Sequence, residues 1–125
     1  MTLISHADAR RTETPNAVMT TLASPTLGGA ERSIWRVDMD PGSAGPAHIF
    51  DVEQVWTVLS GSATIELAAQ SITAGPGDTV VMPAAVVRQV HADPRAGFSA
   101  IVTATAGARA SLPDGTNHGV PPWIV

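Results

Sequence analysis

Two stretches of sequence decide the fold of this chain: GPAHIFDVEQVWTVLSG at residues 45–61 and GPGDTVVMPAAVVRQV at residues 75–90. Each begins with a glycine–proline turn and continues into alternating or β-branched apolar residues, which is typical of strands. The whole chain holds 11 Gly and 10 Pro in 125 residues. Because both residues interrupt regular structure, this content favours short strands and turns over long helices.

The strand pattern extends on both sides of these stretches. Residues 31–39 alternate in polarity, with Trp35, Val37 and Met39 on one face of a half-buried strand. Ser60 and Gly61 have the composition of a tight hairpin turn. Further strands are predicted at 53–59, 62–67, 70–73, 79–82, 86–91 and 98–105.

The two ends of the chain carry weaker signals. Residues 1–15 are polar and lack periodicity, so we expect a loose N-terminal arm. Residues 16–125 show no linker and no repeat, and they predict a single all-β domain. The last five residues, PPWIV at 121–125, are apolar and are expected to pack against that domain.

The composition excludes several classes of function. The chain has no cysteine and no lysine, which excludes disulfides, thiolate metal sites, a Schiff-base lysine and a phosphate loop. The net charge is −4 and there is no basic run, so a nucleic-acid partner is not expected. The longest apolar run, residues 80–87, is short and contains Pro83, so no membrane partner is expected. No signal-peptide pattern is present, and the all-arginine basic set hints at a GC-rich genome; we therefore expect a cytoplasmic, bacterial protein.

Together the two stretches resemble the paired motifs of the cupin superfamily, whose members are small double-stranded β-helix barrels. The first family motif has a Gly, a His-x-His pair, an acid or amide and a closing Gly. The second has Gly-Asp, a Pro and then a His. The spacing is kept over about residues 35–105. The resemblance implies a single cupin jelly-roll barrel, with the first motif at 45–61 and the second at 75–90.

The family's metal positions are only partly kept. The resemblance places the first-motif histidines at His48 and Phe50, the acid or amide at Gln54, and the second-motif histidine at Arg88. A benzyl group cannot ligate a metal, and arginine is permanently protonated. Catalytic transition-metal sites normally have at least three protein ligands, so no metal cofactor is favoured. A divalent transition metal, if one binds, would be held by His48 and Gln54. His91 differs from Arg88 in strand parity and would join only through a bulge.

The remaining polar residues suggest chemistry without a metal. An ordinary imidazole titrates at about pH 6.5, so His48 can act as a general acid or base. Arg88, if it points into the barrel, would anchor a carboxylate or a developing oxyanion, or else pair with an internal acid. Gln54 can orient a substrate carbonyl. We therefore predict His48, Arg88 and Gln54 as catalytic residues, while His6 and His118 are interpreted as surface residues. We predict the substrate-binding residues among the apolar side chains of the barrel: Phe50, Trp56, Met82, Val37 and Met39.

Three functions stay open. The favoured one is a metal-independent isomerase, cyclase or lyase acting on a small molecule, a reading strengthened by resemblance to polyketide-cyclase-like cupins. The second is a non-catalytic small-ligand-binding cupin. The third is a metal-dependent dioxygenase or cyclase. The resemblance also implies a homodimer, with residues 14–22 as the natural edge strand.

Overall fold

The computed structural model describes all residues, 1–125, as strands and turns with one short 3-10 helix, His6–Asp8. The twelve strands are β1 (Arg10–Glu13), β2 (Val18–Ala23), β3 (Arg32–Met39), β4 (Ile49–Phe50), β5 (Gln54–Gly61), β6 (Ala63–Leu67), β7 (Gln70–Ala74), β8 (Thr79–Met82), β9 (Arg88–Ala92), β10 (Phe98–Thr105), β11 (Ala110–Ser111) and β12 (Asn117–Gly119).

The strands form three antiparallel sheets. The largest has the order β1-β2-β3-β10-β5-β8, and the two smaller ones have the orders β7-β6-β9 and β12-β11-β4. A backbone bridge between His48 and Arg88 joins β9 to the residue that precedes β4. The non-sequential order and antiparallel pairing are those of a jelly-roll barrel, which confirms the predicted fold class. No helix in the structure is long and apolar enough to cross a membrane.

The barrel interior is built by strand alternation. On β3 every second side chain is buried, and Trp35, Val37 and Met39 all face the core as their parity predicted. Strand β10 pairs with β3 on one side and β5 on the other. It supplies fully buried small residues, Ala100 and Val102 among them. Small side chains at the centre of the large sheet leave room for the tryptophans of its neighbours.

Three local expectations differ from the structure. Residues 10–13, expected in a loose arm, form β1 and pair with β2. Residues 14–22, expected to be an edge, mostly lie in β2 between β1 and β3. Ser60 and Gly61 do not make a hairpin, because β5 and β6 belong to different sheets and the chain crosses between them there. Gly61 has φ +68°, and a Cβ at this position would lie 2.0 Å from the carbonyl oxygen of Gly97; only glycine permits that crossing.

Candidate functional site

The barrel encloses an apolar cavity of about 430 Å³ with an opening to solvent. The inner face of the large sheet forms one wall. Strands β4, β9, β11 and β12, the loops at 14–17 and 45–48, Leu112 and the last residues of the chain form the rest. Its lining residues are Thr14, Asn16, Ala17, Met19, Trp35, Val37, Met39, Gly45, Pro46, His48, Phe50, Gln54, Trp56, Val90, Ala110, Leu112, His118, Pro121, Pro122 and Trp123. A cavity of this size and polarity suits a small organic molecule.

His48 presents a free basic nitrogen to this cavity. Its Nδ1 lies 2.7 Å from the carbonyl oxygen of Pro46. Since a carbonyl only accepts hydrogen bonds, Nδ1 carries the proton in the neutral ring and Nε2 keeps its lone pair. Burial lowers the pKa of His48 below its usual 6.5; the Pro46 bond opposes this, and the charge of Arg88 adds to it. His48 is therefore a neutral base at pH 7.

Gln54 lines the same cavity, and its side chain carries an unpaired amide donor. The side chain is 1% exposed, and its Oε1 accepts a hydrogen bond of 3.1 Å from the indole Nε1 of Trp56. Because the indole nitrogen can only donate, this bond identifies the amide oxygen and leaves Nε2 as the other atom. Nε2 is buried without a partner. A buried donor without a partner is costly, and an acceptor oxygen on a bound molecule would satisfy it.

Aromatic side chains give the cavity flat walls. All three tryptophans of the chain, Trp35, Trp56 and Trp123, line it together with Phe50. Trp35 and Trp56 come from the large sheet, whereas Trp123 comes from the end of the chain. Planar apolar walls favour a flat ligand, because rings stack on them with large contact area.

The end of the chain is fixed in place as one wall of the cavity. Ile124 is fully buried. The hydroxyl of Thr21 donates to the carbonyl of Trp123 at 2.7 Å, and the hydroxyl of Ser33 donates to the carbonyl of Ile124. Side-chain hydroxyls on the large sheet therefore replace the strand partners that this segment lacks, and they position Trp123.

Arg88 and Met82, predicted as site residues, do not line the cavity. Both are fully buried. The guanidinium of Arg88 turns toward the loop 83–87, where Nη2 donates to the carbonyl of Pro83 at 2.7 Å and Nη1 has no partner. It lies over the ring of Phe50, with Cζ 5.8 Å from the centroid. Phe50 thus occupies the place between Arg88 and a ligand, and an anchoring role for Arg88 does not follow from this geometry.

A family comparison identifies the barrel. A sequence model described as "Cupin domain" matches residues 35–103, more than half of the chain. The chain belongs to the cupin family. No curated protein sequence gives a significant match.

Several solved cupin structures resemble this one in fold. A cupin 2 domain-containing protein from Halorhodospira halophila has a TM-score of 0.75 at 20% identity, covering 82% of this chain and 74% of its own. The polyketide cyclase RemF from Streptomyces resistomycificus has a TM-score of 0.74 at 19% identity, covering 98% and 88%. The DMSP lyase DddQ from Ruegeria pomeroyi has a TM-score of 0.72 at 20% identity, covering 87% and 63%. At such identities the likeness shows the shared fold.

The donor set of this cupin does not fit a transition-metal ion. His48 and Gln54 are the two potential ligands at the motif positions, and Phe50 stands beside them with its ring edge-on to the imidazole at 5.2 Å. The charge of Arg88 acts on the same imidazole. His91 is no substitute, because its Nε2 lies 3.6 Å from Glu66 Oε1 on a partly exposed part of β9. No group of three or more His, Cys, Asp or Glu residues is placed to hold a metal.

Four other predicted residues, Phe50, Trp56, Val37 and Met39, do line the cavity with His48 and Gln54. The sequence did not predict Met19, Trp123 or His118 as lining residues. It predicted Trp35 on the same strand face as Val37 and Met39 but did not assign Trp35 to the site. Trp35 shares its strand parity with Val37 and Met39, so a signal for it was present. The positions of Trp123 and His118 depend on how the end of the chain folds back, which no local pattern reports.

Proposed function

We propose that this cupin is a metal-independent acid–base enzyme that acts on a flat, largely apolar molecule carrying a carbonyl group. The observation that carries this proposal is that two side chains lining one apolar cavity have complementary unpaired groups. They are the basic Nε2 of His48 and the buried amide N–H of Gln54. Isomerisation, ring closure and elimination next to a carbonyl can each begin with the proton abstraction that such a pair supports.

In the proposed step His48 Nε2 removes a proton from the carbon next to the carbonyl. The C–H electron pair forms a carbon–carbon double bond, and the carbonyl π pair moves onto oxygen. The amide N–H of Gln54 donates to that oxygen and stabilises its developing charge. The lowered pKa of His48 keeps the base unprotonated at neutral pH. The apolar walls strengthen both interactions by excluding water.

The relatives support this class of chemistry. One similar fold, which covers 98% of this chain and 88% of its own, belongs to a protein named as a polyketide cyclase. Another similar fold belongs to a lyase. Ring closure or elimination next to a carbonyl uses a base and a group that holds an oxyanion, which are the roles proposed for His48 and Gln54.

The test uses 2-tetralone, a flat bicyclic ketone, as a probe. Exchange of its α-protons into D₂O is followed by proton NMR with the native chain and with His48→Gln and Gln54→Met. We expect both substitutions to slow exchange by about 100-fold, the usual size of an acid–base or oxyanion contribution. His6→Gln, which changes an exposed histidine outside the cavity, is the matched control. Native protein that exchanges no faster than buffer would overturn the proposal.

A non-catalytic ligand-binding role is the second candidate, favoured by the same buried amide and the aromatic walls. Because every tryptophan lines the cavity, intrinsic fluorescence reports its occupancy directly. A binding protein would show saturable quenching by 2-tetralone and weaker binding of tetralin, its analogue without the oxygen, yet no exchange.

The chain is also proposed to form a homodimer through β1. This strand is an outer strand of the large sheet and leaves one edge without a strand partner, and such edges readily pair with a second chain. Light scattering coupled to gel filtration measures the molecular mass. A mass of one chain across the micromolar range would exclude the dimer.

A further inference from the structure

A second histidine, His118, lines the cavity that contains His48. Of the four histidines in the chain, only these two line it. His6 is exposed in the short 3-10 helix, and His91 lies beside Glu66 outside the cavity. His118 is itself solvent-exposed, so it stands where the cavity opens.

A β-bulge carries His118 to this position. Ala110 of β11 pairs with Gly119 of β12, and Ser111 pairs with Asn117. Three consecutive residues of β12 therefore lie opposite two consecutive residues of β11, and His118 is the extra residue. Bulges re-aim a side chain relative to simple alternation. The amide oxygen of Asn117 accepts a 2.7 Å bond from the Gly119 N–H and ties the bulge together.

The sheet places His118 at a useful separation from His48. Strands β4 and β12 both pair with β11, so they lie two strand spacings apart, roughly 10 Å. His48 directly precedes β4. Backbones at this separation leave room for one molecule between the two side chains, and each imidazole can then reach a different atom of it by a hydrogen bond of about 3 Å.

A carboxylate lies beside His118. Asp114 Oδ1 accepts a 2.9 Å bond from the Thr116 N–H. The pKa of Asp114 is lowered, first by hydrogen bonds from Thr116 and also by the charge of His118. At the other end of the cavity, burial and the charge of Arg88 lower the pKa of His48. The two histidines therefore have different surroundings, since His48 lies near a positive charge and the exposed His118 lies near a carboxylate.

We propose that His118 is the general acid opposite the base His48, and that the pair dehydrates β-hydroxyketones. The inference rests on the proposed function and deepens it. His48 Nε2 takes the α-proton and leaves an enolate whose oxygen is held by Gln54. The electron pair on that oxygen then re-forms the carbonyl, and the carbon–carbon π pair of the enolate moves to form a double bond between the α- and β-carbons. The bond from the β-carbon to its hydroxyl breaks, and His118 gives its proton to the departing oxygen. The products are an enone and water, so no co-reactant is required.

The test uses 4-hydroxy-4-phenylbutan-2-one, whose conjugated product absorbs in the near ultraviolet. Dehydration is followed by absorbance, and α-proton exchange of the same probe in D₂O is followed by NMR. In His118→Gln we expect dehydration to fall by about 100-fold and to fall far more than exchange does. His48→Gln should lose both. In His118→Ala, added imidazole should restore dehydration, because the position opens to solvent. His6→Gln is the control histidine variant.

Three other results of these experiments would each overturn a different part of the proposal. Unchanged dehydration in His118→Gln would overturn the role of His118 while leaving the proposed function standing. Equal loss of exchange and dehydration, together with weaker tryptophan quenching by the probe, would make His118 a binding residue and overturn its role as an acid. Native protein that neither exchanges nor dehydrates the probe would overturn the proposed function itself.

Discussion

The backbones of His48 and Arg88 exchange two hydrogen bonds of 2.9 Å, yet their side chains serve different parts of the barrel. Both contact Phe50: the imidazole meets it edge-on and the guanidinium lies over its ring. The imidazole lines the cavity, whereas the guanidinium is held by a loop carbonyl and is fully buried. The positive charge of Arg88 is thus close enough to act on His48 without reaching a ligand.

The first prediction concerns pH and the stability of the fold. The pKa of His48 is lowered by folding, so the unfolded chain binds a proton here more readily than the folded chain. The stability that this site contributes is complete above the unfolded value of 6.5 and is lost as the pH falls through the lowered value. Between about pH 7.5 and pH 5, native protein should therefore lose more unfolding free energy than His48→Gln in urea titrations. Parallel losses in the two proteins would contradict this assignment.

The second prediction concerns the buried charge of Arg88. Burial lowers the pKa of Arg88 to about 10, Nη1 has no partner, and none of the ion pairs includes it. Arg88→Met should therefore raise the free energy of unfolding by about 1 kcal/mol, since an apolar chain of similar length needs no partner. Above about pH 10 the difference in unfolding free energy between the two proteins should narrow, because the folded native chain loses the Arg88 proton while the unfolded chain still keeps it.

Arg88→Met also tests the effect of the Arg88 charge on the pKa of His48. Removing the positive charge should move the pKa of His48 toward 6.5 without reaching it, because burial is the larger cause. The NMR titration of the His48 Cε1–H measures this. Arg32→Met, which alters an exposed arginine on β3, is the control and should leave that titration unchanged. A less stable Arg88→Met protein would show that the hydrogen bond from Arg88 to the carbonyl of Pro83 outweighs the cost of burying the charge.

Strand parity accounts for most of the wall that could be predicted from sequence. Trp35, Val37, Met39, Gln54 and Trp56 were all expected on interior faces, and all five are buried. The reason is physical: a period of two is enforced by the pleat and needs no knowledge of distant contacts.

Residues whose placement depends on long-range docking could not be predicted in this way. Parity correctly gave the buried face for Arg88, but not the direction of its long side chain, which is decided by the carbonyl of Pro83. Trp123 enters the cavity because Ile124 is buried and hydroxyls of distant strands hold the backbone. His118 enters because of a register shift between β11 and β12, which the sequence does not display.

The third prediction concerns the wall made by the end of the chain. Ile124→Ala should lower the free energy of unfolding by about 2–5 kcal/mol, because Ile124 is fully buried and its removal leaves a cavity. It should also weaken binding of 2-tetralone, since Trp123 depends on the same anchorage. Urea unfolding and tryptophan quenching measure the two effects. Val125→Ala is the matched control, because that side chain is 42% exposed. Equal stability of the two variants would show that this segment is not docked in solution.

The fourth prediction concerns metal affinity. One imidazole and one amide beside a benzyl group and a guanidinium make a poor site, so titration of the native chain with Mn²⁺, Ni²⁺ or Zn²⁺ should show no tight stoichiometric binding. The double substitution Phe50→His with Arg88→His restores imidazoles at the two positions where the family carries them, and it removes the charge that acts on His48. Calorimetry should then detect a tight site for Zn²⁺ or Ni²⁺, and the additional substitution His48→Ala should abolish it. Tight binding by the native chain would contradict this prediction. It would make His48 a metal ligand, which is incompatible with its role as a free base.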